Sequence, residues 1–395
     1  LEDLEQFRLE VRAWLAANCP ESQRQPVGAQ EQYWGGRRGT FHSGDARLWF
    51  ERMRDKGWTA PEWPTQYGGG GLSAQQARVL KEEMKSIHAR TPLYGIGLWM
   101  LGPAVLEYGN EAQKQQHIRA IVNGESRWCQ GYSEPGAGSD LASLQCKAQD
   151  KGDHFLVNGS KIWTTAADKC DWIFCLVRTN PHVKKQEGIS FLLIDMDDSG
   201  VTTTPIPLIS GESEFCQTFF DNVKVPKENL VGELNKGWSV AKALLVHERK
   251  LMAEIGSDSP RQILQPNVAA REYLEFENGK IANTALRSAL VEYDMLMQAV
   301  GLTHFRAFEE KASGVRSAAP MVLKYVGTEA EKTKSELLLA IMGSRGVGWE
   351  GEGFTPQEID TLRLWAMSKT LTIAGGSSEI QLNLIAQKVL ELPRS

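Results

Sequence analysis

The stretch from Trp128 to Asp140, Trp-Cys-Gln-Gly-Tyr-Ser-Glu-Pro-Gly-Ala-Gly-Ser-Asp, has the residue types of a binding loop. Its first half has the character of a strand. Pro135 fixes φ, and Gly136 and Gly138 reach positive φ at little cost, so the spacing predicts a turn. Such a turn leaves backbone N–H groups exposed beside Ser133 and Ser139. A run of donors of this kind suits an anionic or strongly polar ligand, such as a pyrophosphate or a flavin pyrimidine edge. A second candidate is Glu248, four residues after Leu244 and three before Leu251, so that it shares their helix face. A carboxylate on an apolar stripe is costly unless it is paired or used, and a proton acceptor is one such use. The alternative is a solvated helix-edge glutamate or an ion pair.

The elements that must hold these groups follow from the pattern of apolar residues. Residues 1 to about 125 read mainly as helices, beginning with Leu4, Phe7, Leu9, Val11 and Leu15 at helical spacing. Ser22 to Asp45 reads as loop. A short helix from Leu48 to Lys56 is broken by Gly57, Pro61 and Pro64. Ser73 caps a helix running through Met84, with Gln76 as capping-box partner. Further helices are predicted over Leu101–Tyr108 and Glu111–Val122.

From about 126 to 231 short strand-like runs take over. Phe155-Leu156-Val157 and Lys161-Ile162-Trp163 flank Asn158-Gly159, a strong hairpin signal. Asp171–Thr179, Gly188–Met196 and Val201–Ile206 are further strands. Helices return with Gly237–Ile255. A polar break containing Pro260 and Pro266 follows, then helices near 282–312, 316–342, 356–372 and 378–390. The expected fold class is α+β: an amino-terminal helical domain (1–125), a middle antiparallel β domain (126–231) and a carboxy-terminal four-helix bundle (232–395).

The chain has 395 residues, enough for two or three domains with substantial cores. A net charge of −5 gives no general attraction to nucleic acid or anionic membranes. No apolar run reaches the roughly 18 residues of a membrane span, and no signal peptide is visible, which predicts a cytoplasmic protein, or a mitochondrial matrix protein in a eukaryote. The six cysteines form no CxxC pair and no Cys/His cluster with zinc-ligand spacing, so reduced structural thiols and no metal are expected.

Several distant stretches carry a family resemblance, in order along nearly the whole chain. Gly57-Trp58-Thr59-Ala60-Pro61 is followed by Tyr67-Gly68-Gly69-Gly70-Gly71-Leu72-Ser73. Then come Tyr108-Gly109-Asn110-Glu111-Ala112-Gln113-Lys114, Asn123-Gly124-Glu125, the Trp128–Asp140 loop, Lys161-Ile162-Trp163-Thr164-Thr165 and Gly375-Gly376-Ser377-Ser378-Glu379-Ile380-Gln381. Together these resemble the signatures of the acyl-CoA dehydrogenase family. The resemblance implies FAD as cofactor and oxidation of the Cα–Cβ bond of an acyl-CoA thioester to a trans-2-enoyl-CoA. A carboxylate takes the α-proton and the β-hydrogen leaves as hydride to flavin N5.

The resemblance also implies roles by position. Gln130, Tyr132, Ser133, Gly138 and Ser139 would hold the flavin from the loop, with Ser139 near the CoA arm as well. Trp163 would pack on the flavin ring, Thr164 would lie beside it and Thr165 would donate near N5. Gly376, Ser377 and Glu379 would contact the cofactor from the carboxy-terminal domain. Many members carry the base at the position of Gly375, and glycine cannot take a proton. A smaller branch of the family places it in a Glu-Arg pair on the first long helix of the bundle, here Glu248-Arg249. Glu248 is then the catalytic base, Arg249 seats the acyl-CoA, and the Gly375 N–H serves the thioester carbonyl.

A second departure is that Arg271-Glu272-Tyr273-Leu274-Glu275 and Met342–Gly348 are degraded versions of segments that reach a neighbouring subunit's FAD. That implies either a homo-oligomer (dimer or tetramer) with a weak grip on FAD or an α2β2 complex with a paralogous subunit. Electron-transfer flavoprotein is the implied acceptor. The rival readings are a same-fold flavin oxidase or monooxygenase, and a non-catalytic partner subunit.

Overall fold

The computed structural model describes residues 2–25, 28, 31–254, 264–315 and 317–393; the side chains of residues 2, 248–254 and 311 fall outside that description. The chain forms two compact units. One comprises Leu1–Ile206 with Glu214–His247, the other Pro207–Ser213 with Glu248–Ser395.

The first unit opens with helices α1 (Glu2–Asn18), α2 (Gly44–Asp55) and α3 (Ala74–Ser86). The Ser73–Gln76 capping box expected from sequence starts α3. Val11, Leu15, Trp49, Met53 and Leu80 form the core between these helices. Buried Glu83 on α3 takes hydrogen bonds from Arg8 (2.9 Å) and Arg12 (2.9 Å) on α1, which neutralises its charge. Helix α4 (Gly102–Tyr108) follows a π-helical turn at Gly97–Leu101. The helix expected over Glu111–Val122 is present as α5 (Glu111–Gln113), a π turn (Lys114–Ile118) and α6 (Arg119–Val122).

Eight strands make the sheet: β1 (Trp128–Gly131), β2 (Lys147–Asp150), β3 (His154–Thr165), β4 (Trp172–Arg178), β5 (Ile189–Asp195), β6 (Val201–Ile206), β7 (Phe215–Pro226) and β8 (Leu230–Val231). The order is β6-β7-β3-β2-β4-β5-β8, with β1 beside β4. Most pairs are antiparallel, but β1 runs parallel to β4, and β2 meets β4 in parallel at Lys147–Arg178. Gln113, buried on α5, donates to the carbonyls of Glu228 (2.7 Å) and Leu230 (2.8 Å) and so ties helix to sheet. All six cysteines are free and buried. Cys129, Cys146, Cys170, Cys175 and Cys216 belong to the β-domain core with Phe155, Val157, Ile173 and Leu192.

Asn158-Gly159 is not a hairpin. It lies inside β3, at a register shift against β7. Gly159 is required there by packing, because a Cβ would stand 2.8 Å from the Cys146 Cα. Asn158 instead ties β3 to β7 by accepting a hydrogen bond from the Asn222 N–H (2.9 Å). Tertiary contact has overridden the local turn propensity.

Helix α7 (Gly237–Glu254) spans the division between the units. The second unit adds α8 (Pro266–Tyr273), a two-stranded ribbon of β9 (Phe276–Glu277) and β10 (Lys280–Ile281), then α9 (Thr284–Ala312), α10 (Ala319–Met342), α11 (Pro356–Leu371) and α12 (Ser378–Lys388). Helix α10 packs against α8, α9, α11 and α12. Leu290, Tyr293, Leu337, Leu338 and Ile341 lie in its core. Pro266, expected in a break, instead starts α8, where its missing N–H costs nothing. Pro260 and Ile255 lie outside the described residues. Among the described residues no helix is long and apolar enough to cross a membrane.

Candidate functional site

In the first unit, β1 places Gln130 opposite Phe174 and then delivers the chain into the polar loop. Tyr132 is buried, edge-on to Phe174 and Phe191. The turn closes with two bonds, Glu134 N–H to the Ala137 carbonyl (2.9 Å) and the reverse (3.0 Å). Neither Gly136 nor Gly138 takes a left-handed φ, which corrects the reason expected for them. A Cβ at either would meet no atom within 4 Å, so the glycines leave open space outside the loop. Gly138 and Ser139 are exposed. Among the described residues the amides of Ser133, Gly136, Gly138 and Ser139 meet no acceptor. Asp140 at the loop's end pairs with Lys185 (2.6 Å).

Strand β3 docks against this loop. Ile162 N–H donates to the Ser133 carbonyl (2.9 Å). Lys161, fully buried, donates to the Tyr132 carbonyl (3.1 Å) and to Glu134 (2.7 Å). Glu134 also accepts the amides of Gln145 (2.6 Å) and Cys146 (2.8 Å). A bulge follows: Lys161 pairs with Thr218 and Thr164 with Cys216, so three steps on β3 face two on β7.

Trp163 sits at this bulge with φ 61° and is 54% exposed, edge-on to Phe215 at 6.1 Å. A left-handed backbone costs a non-glycine residue roughly 1–2 kcal/mol, and strain of this kind gathers at functional sites. Thr164 is fully buried, and its hydroxyl finds no partner among the described residues. Thr165 is half-buried and pairs with Phe215. Open amides beside an exposed indole fit a planar ligand with a polar edge.

In the second unit, Gly375 (φ 65°) and Gly376 (φ 97°) both take left-handed backbone, which explains glycine at each. Two buried side chains hold this turn. Gln381 donates to the Gly375 carbonyl (3.3 Å), and Lys324 donates to the carbonyls of Gly376 (2.7 Å) and Leu371 (3.2 Å). Ser377 caps α12, accepting from the Ile380 N–H (3.4 Å). Glu379 is exposed in the first turn, and its own backbone N–H and the Ser377 hydroxyl hold its carboxyl below the usual range.

Glu248 and Arg249 have helical backbone within α7, after buried Leu244 and half-buried His247; their side chains lie outside the described residues.

Sequence reasoning missed two carboxylates. Glu134 is one; the signal was a lysine, Lys161, inside a strand-like run. The other is Glu358. Arg345 from the glycine loop makes two 2.6 Å hydrogen bonds to it, and Tyr273 donates at 3.2 Å. Both Tyr273 and Arg345 come from the degraded segments. Glu358 is 2% exposed and closes a capping box with Thr355, a pattern legible as Thr-x-x-Glu. Arg345 above all holds the Glu358 carboxyl at about 2. Arg271 is exposed in the last turn of α8.

Family models for the acyl-CoA dehydrogenase N-terminal, middle and C-terminal domains match residues 2–125, 129–223 and 235–390. The chain belongs to the acyl-CoA dehydrogenase family and is an enzyme of that class. Among relatives, it is 32% identical over 400 residues to acyl-CoA dehydrogenase IpdE1 of Mycobacterium tuberculosis, covering 100% of this chain and 99% of that one. Among solved structures it is similar to the Tcur3481-Tcur3483 steroid ACAD, with 30% identity, TM-score 0.77 and coverage of 100% and 99%. It is also similar to a chain of the ChsE4-ChsE5 complex from Mycobacterium tuberculosis, with 26% identity, TM-score 0.73 and coverage of 100% and 99%.

Proposed function

We propose that this protein is an FAD-dependent acyl-CoA dehydrogenase that forms a trans-2-enoyl-CoA from a bulky, ring-bearing acyl-CoA of steroid origin. The observation that carries the reading is the pairing of the amides of Ser133, Gly136, Gly138 and Ser139, which meet no acceptor among the described residues, with exposed Trp163 on the adjoining strand. FAD would supply the hydride acceptor.

The chain's own groups divide the remaining work. Glu248 takes the α-proton. Arg249 seats the thioester arm, and the Gly375 N–H donates to its carbonyl, a role that needs no side chain. Tyr132, Ser133 and Gln130 orient the polar edge of the flavin, and Trp163 covers its ring. Thr164, buried at its side chain, acts through its backbone, and Thr165 donates beside the reacting nitrogen. Gly138 and Ser139 face the phosphates and the CoA arm, and Gly376, Ser377 and Glu379 contact the cofactor. The three-part division at 125/126 and 231/232 belongs to the same reading. The steroid-derived substrate and a heteromeric assembly are supported by the likeness to the Tcur3481-Tcur3483 steroid ACAD and the ChsE4-ChsE5 complex.

The test is to load the purified chain, alone and with a co-expressed paralogous subunit, with FAD and add acyl-CoA thioesters anaerobically. Ring-bearing steroid-derived thioesters should bleach the flavin, and electron-transfer flavoprotein should reoxidise it without hydrogen peroxide. Bleaching only by short straight chains overturns the substrate assignment, and stoichiometric peroxide overturns the dehydrogenase in favour of an oxidase.

A further inference from the structure

Buried beneath the polar loop is an ion pair, Lys161 with Glu134. Lys161 is 0% exposed and Glu134 8%. Withdrawing both charges from water costs several kcal/mol per ion, offset in part by the backbone groups of Tyr132, Gln145 and Cys146 that the pair satisfies. An apolar pair would present no positive charge to the backbone. The Lys161 ammonium lies 3.1 Å from the Tyr132 carbonyl oxygen. That carbonyl belongs to the same peptide unit as the Ser133 N–H, which meets no acceptor among the described residues. Electron density drawn toward the carbonyl end of a peptide makes its N–H a stronger donor.

Resting on the flavin reading above, we propose that Lys161 is a positioning residue that polarises the Tyr132–Ser133 peptide, strengthening the Ser133 N–H as a donor to the polar edge of the bound flavin, and that Glu134 fixes Lys161 in place. Four hydrogen bonds make the geometry rigid. Glu134 is anchored by the amides of Gln145 (2.6 Å) and Cys146 (2.8 Å). It then holds Lys161 at 2.7 Å. The Ser133 carbonyl is fixed by the Ile162 N–H. A donor aimed at the edge that becomes more negative on reduction favours the reduced cofactor over the oxidised one. Lys161 thus acts on the cofactor's affinity difference between redox states, through one peptide bond and without touching it.

The test is FAD binding and the flavin's two-electron reduction potential in Lys161→Met and Glu134→Gln. Lys161→Met should weaken binding of reduced FAD about tenfold more than that of oxidised FAD, which for a two-electron couple lowers the potential by about 30 mV. Glu134→Gln keeps the ammonium and should lower thermal stability while moving the potential far less. If Lys161→Met yields no folded protein, the double variant with Glu134→Gln removes the stranded carboxylate and is read the same way. A folded Lys161 variant with wild-type potential overturns the proposal, as does Glu134→Gln shifting the potential as far as Lys161→Met. A wild-type chain that takes up no FAD, alone or with a partner subunit, overturns the flavin reading itself, and that is seen before any variant is compared.

Discussion

Lys161 and Trp163 stand two residues apart on β3 and face opposite ways: Lys161 is fully buried and Trp163 is 54% exposed. A regular strand would put both on one face. The bulge between Lys161 and Thr164 resets the alternation, so one short segment sends a charge under the loop and an indole out of the domain.

That arrangement separates stability from binding at Trp163. Trp163→Gly relieves the left-handed backbone, offsetting the lost edge contact with Phe215. Apoprotein stability should stay within about 1 kcal/mol of wild type. FAD affinity should fall about five- to tenfold, the scale of a lost aromatic contact. Thermal melts of the apoprotein and a flavin fluorescence titration check both halves. Unchanged affinity with a large loss of stability would make Trp163 a packing residue.

Glu358 makes a pH prediction. Its folded-state pKa, about 2, lies below the usual carboxylate value, chiefly because of Arg345. A depressed carboxylate contributes stability that is present above the unfolded value of about 4.3 and is lost as pH falls toward the folded one. Glu358→Gln should cost about 2 kcal/mol at neutral pH, and the gap to wild type should close between about pH 4.5 and 2. Denaturant melts across that range give the answer; a gap independent of pH would mean the carboxylate's charge is not what Arg345 holds.

His117 gives a second window. It is 2% exposed, edge-on to the stacked Trp128 and Trp172, and burial lowers its pKa to about 4. The unfolded chain takes up the proton first, so stability falls as pH drops from about 6.5 to 4, by roughly 3 kcal/mol in total. His117→Phe should flatten this part of the profile. If wild-type stability is already flat between these values, His117 is accessible to protons in the folded state.

The sequence carried the order of elements because periodicity and caps are local: Ser73-x-x-Gln76 and Thr355-x-x-Glu358 both start helices. It did not carry what long-range packing decides. Asn158-Gly159 reads as a turn, yet Gly159 is there so that Cys146 can come close. Gly136 and Gly138 read as left-handed and are not, whereas Gly375 and Gly376 are. The loop and strand of the candidate site were legible as motifs. The Lys161–Glu134 pair beneath them was not, because nothing local says which lysine in a strand faces inward.

The segments that depart from the family pattern motivate the two proposed assemblies, a homo-oligomer with a weak grip on FAD or an α2β2 complex with a paralogous subunit. Tyr273 and Arg345 are engaged with Glu358 inside the second unit. Co-expression with a paralogous subunit should therefore raise the FAD content of the purified protein and give an α2β2 mass. Full, tight FAD occupancy in a homodimer or homotetramer of this chain alone would show that no partner is needed.

In the proposed reaction Glu248 takes the α-proton, since Gly375, at the position where the family resemblance implies a base, has no side chain to accept it. A carboxylate at 375 would have to adopt φ near 65°, at a cost of roughly 1–2 kcal/mol. The most direct measurement is the rate of anaerobic flavin reduction by a competent acyl-CoA in Glu248→Gln, which keeps the shape of the side chain and removes the proton acceptor. The rate should fall by at least about 10²–10⁴-fold, with FAD and acyl-CoA binding largely retained. Flavin bleaching as fast as in the wild type would contradict the account and place the base elsewhere.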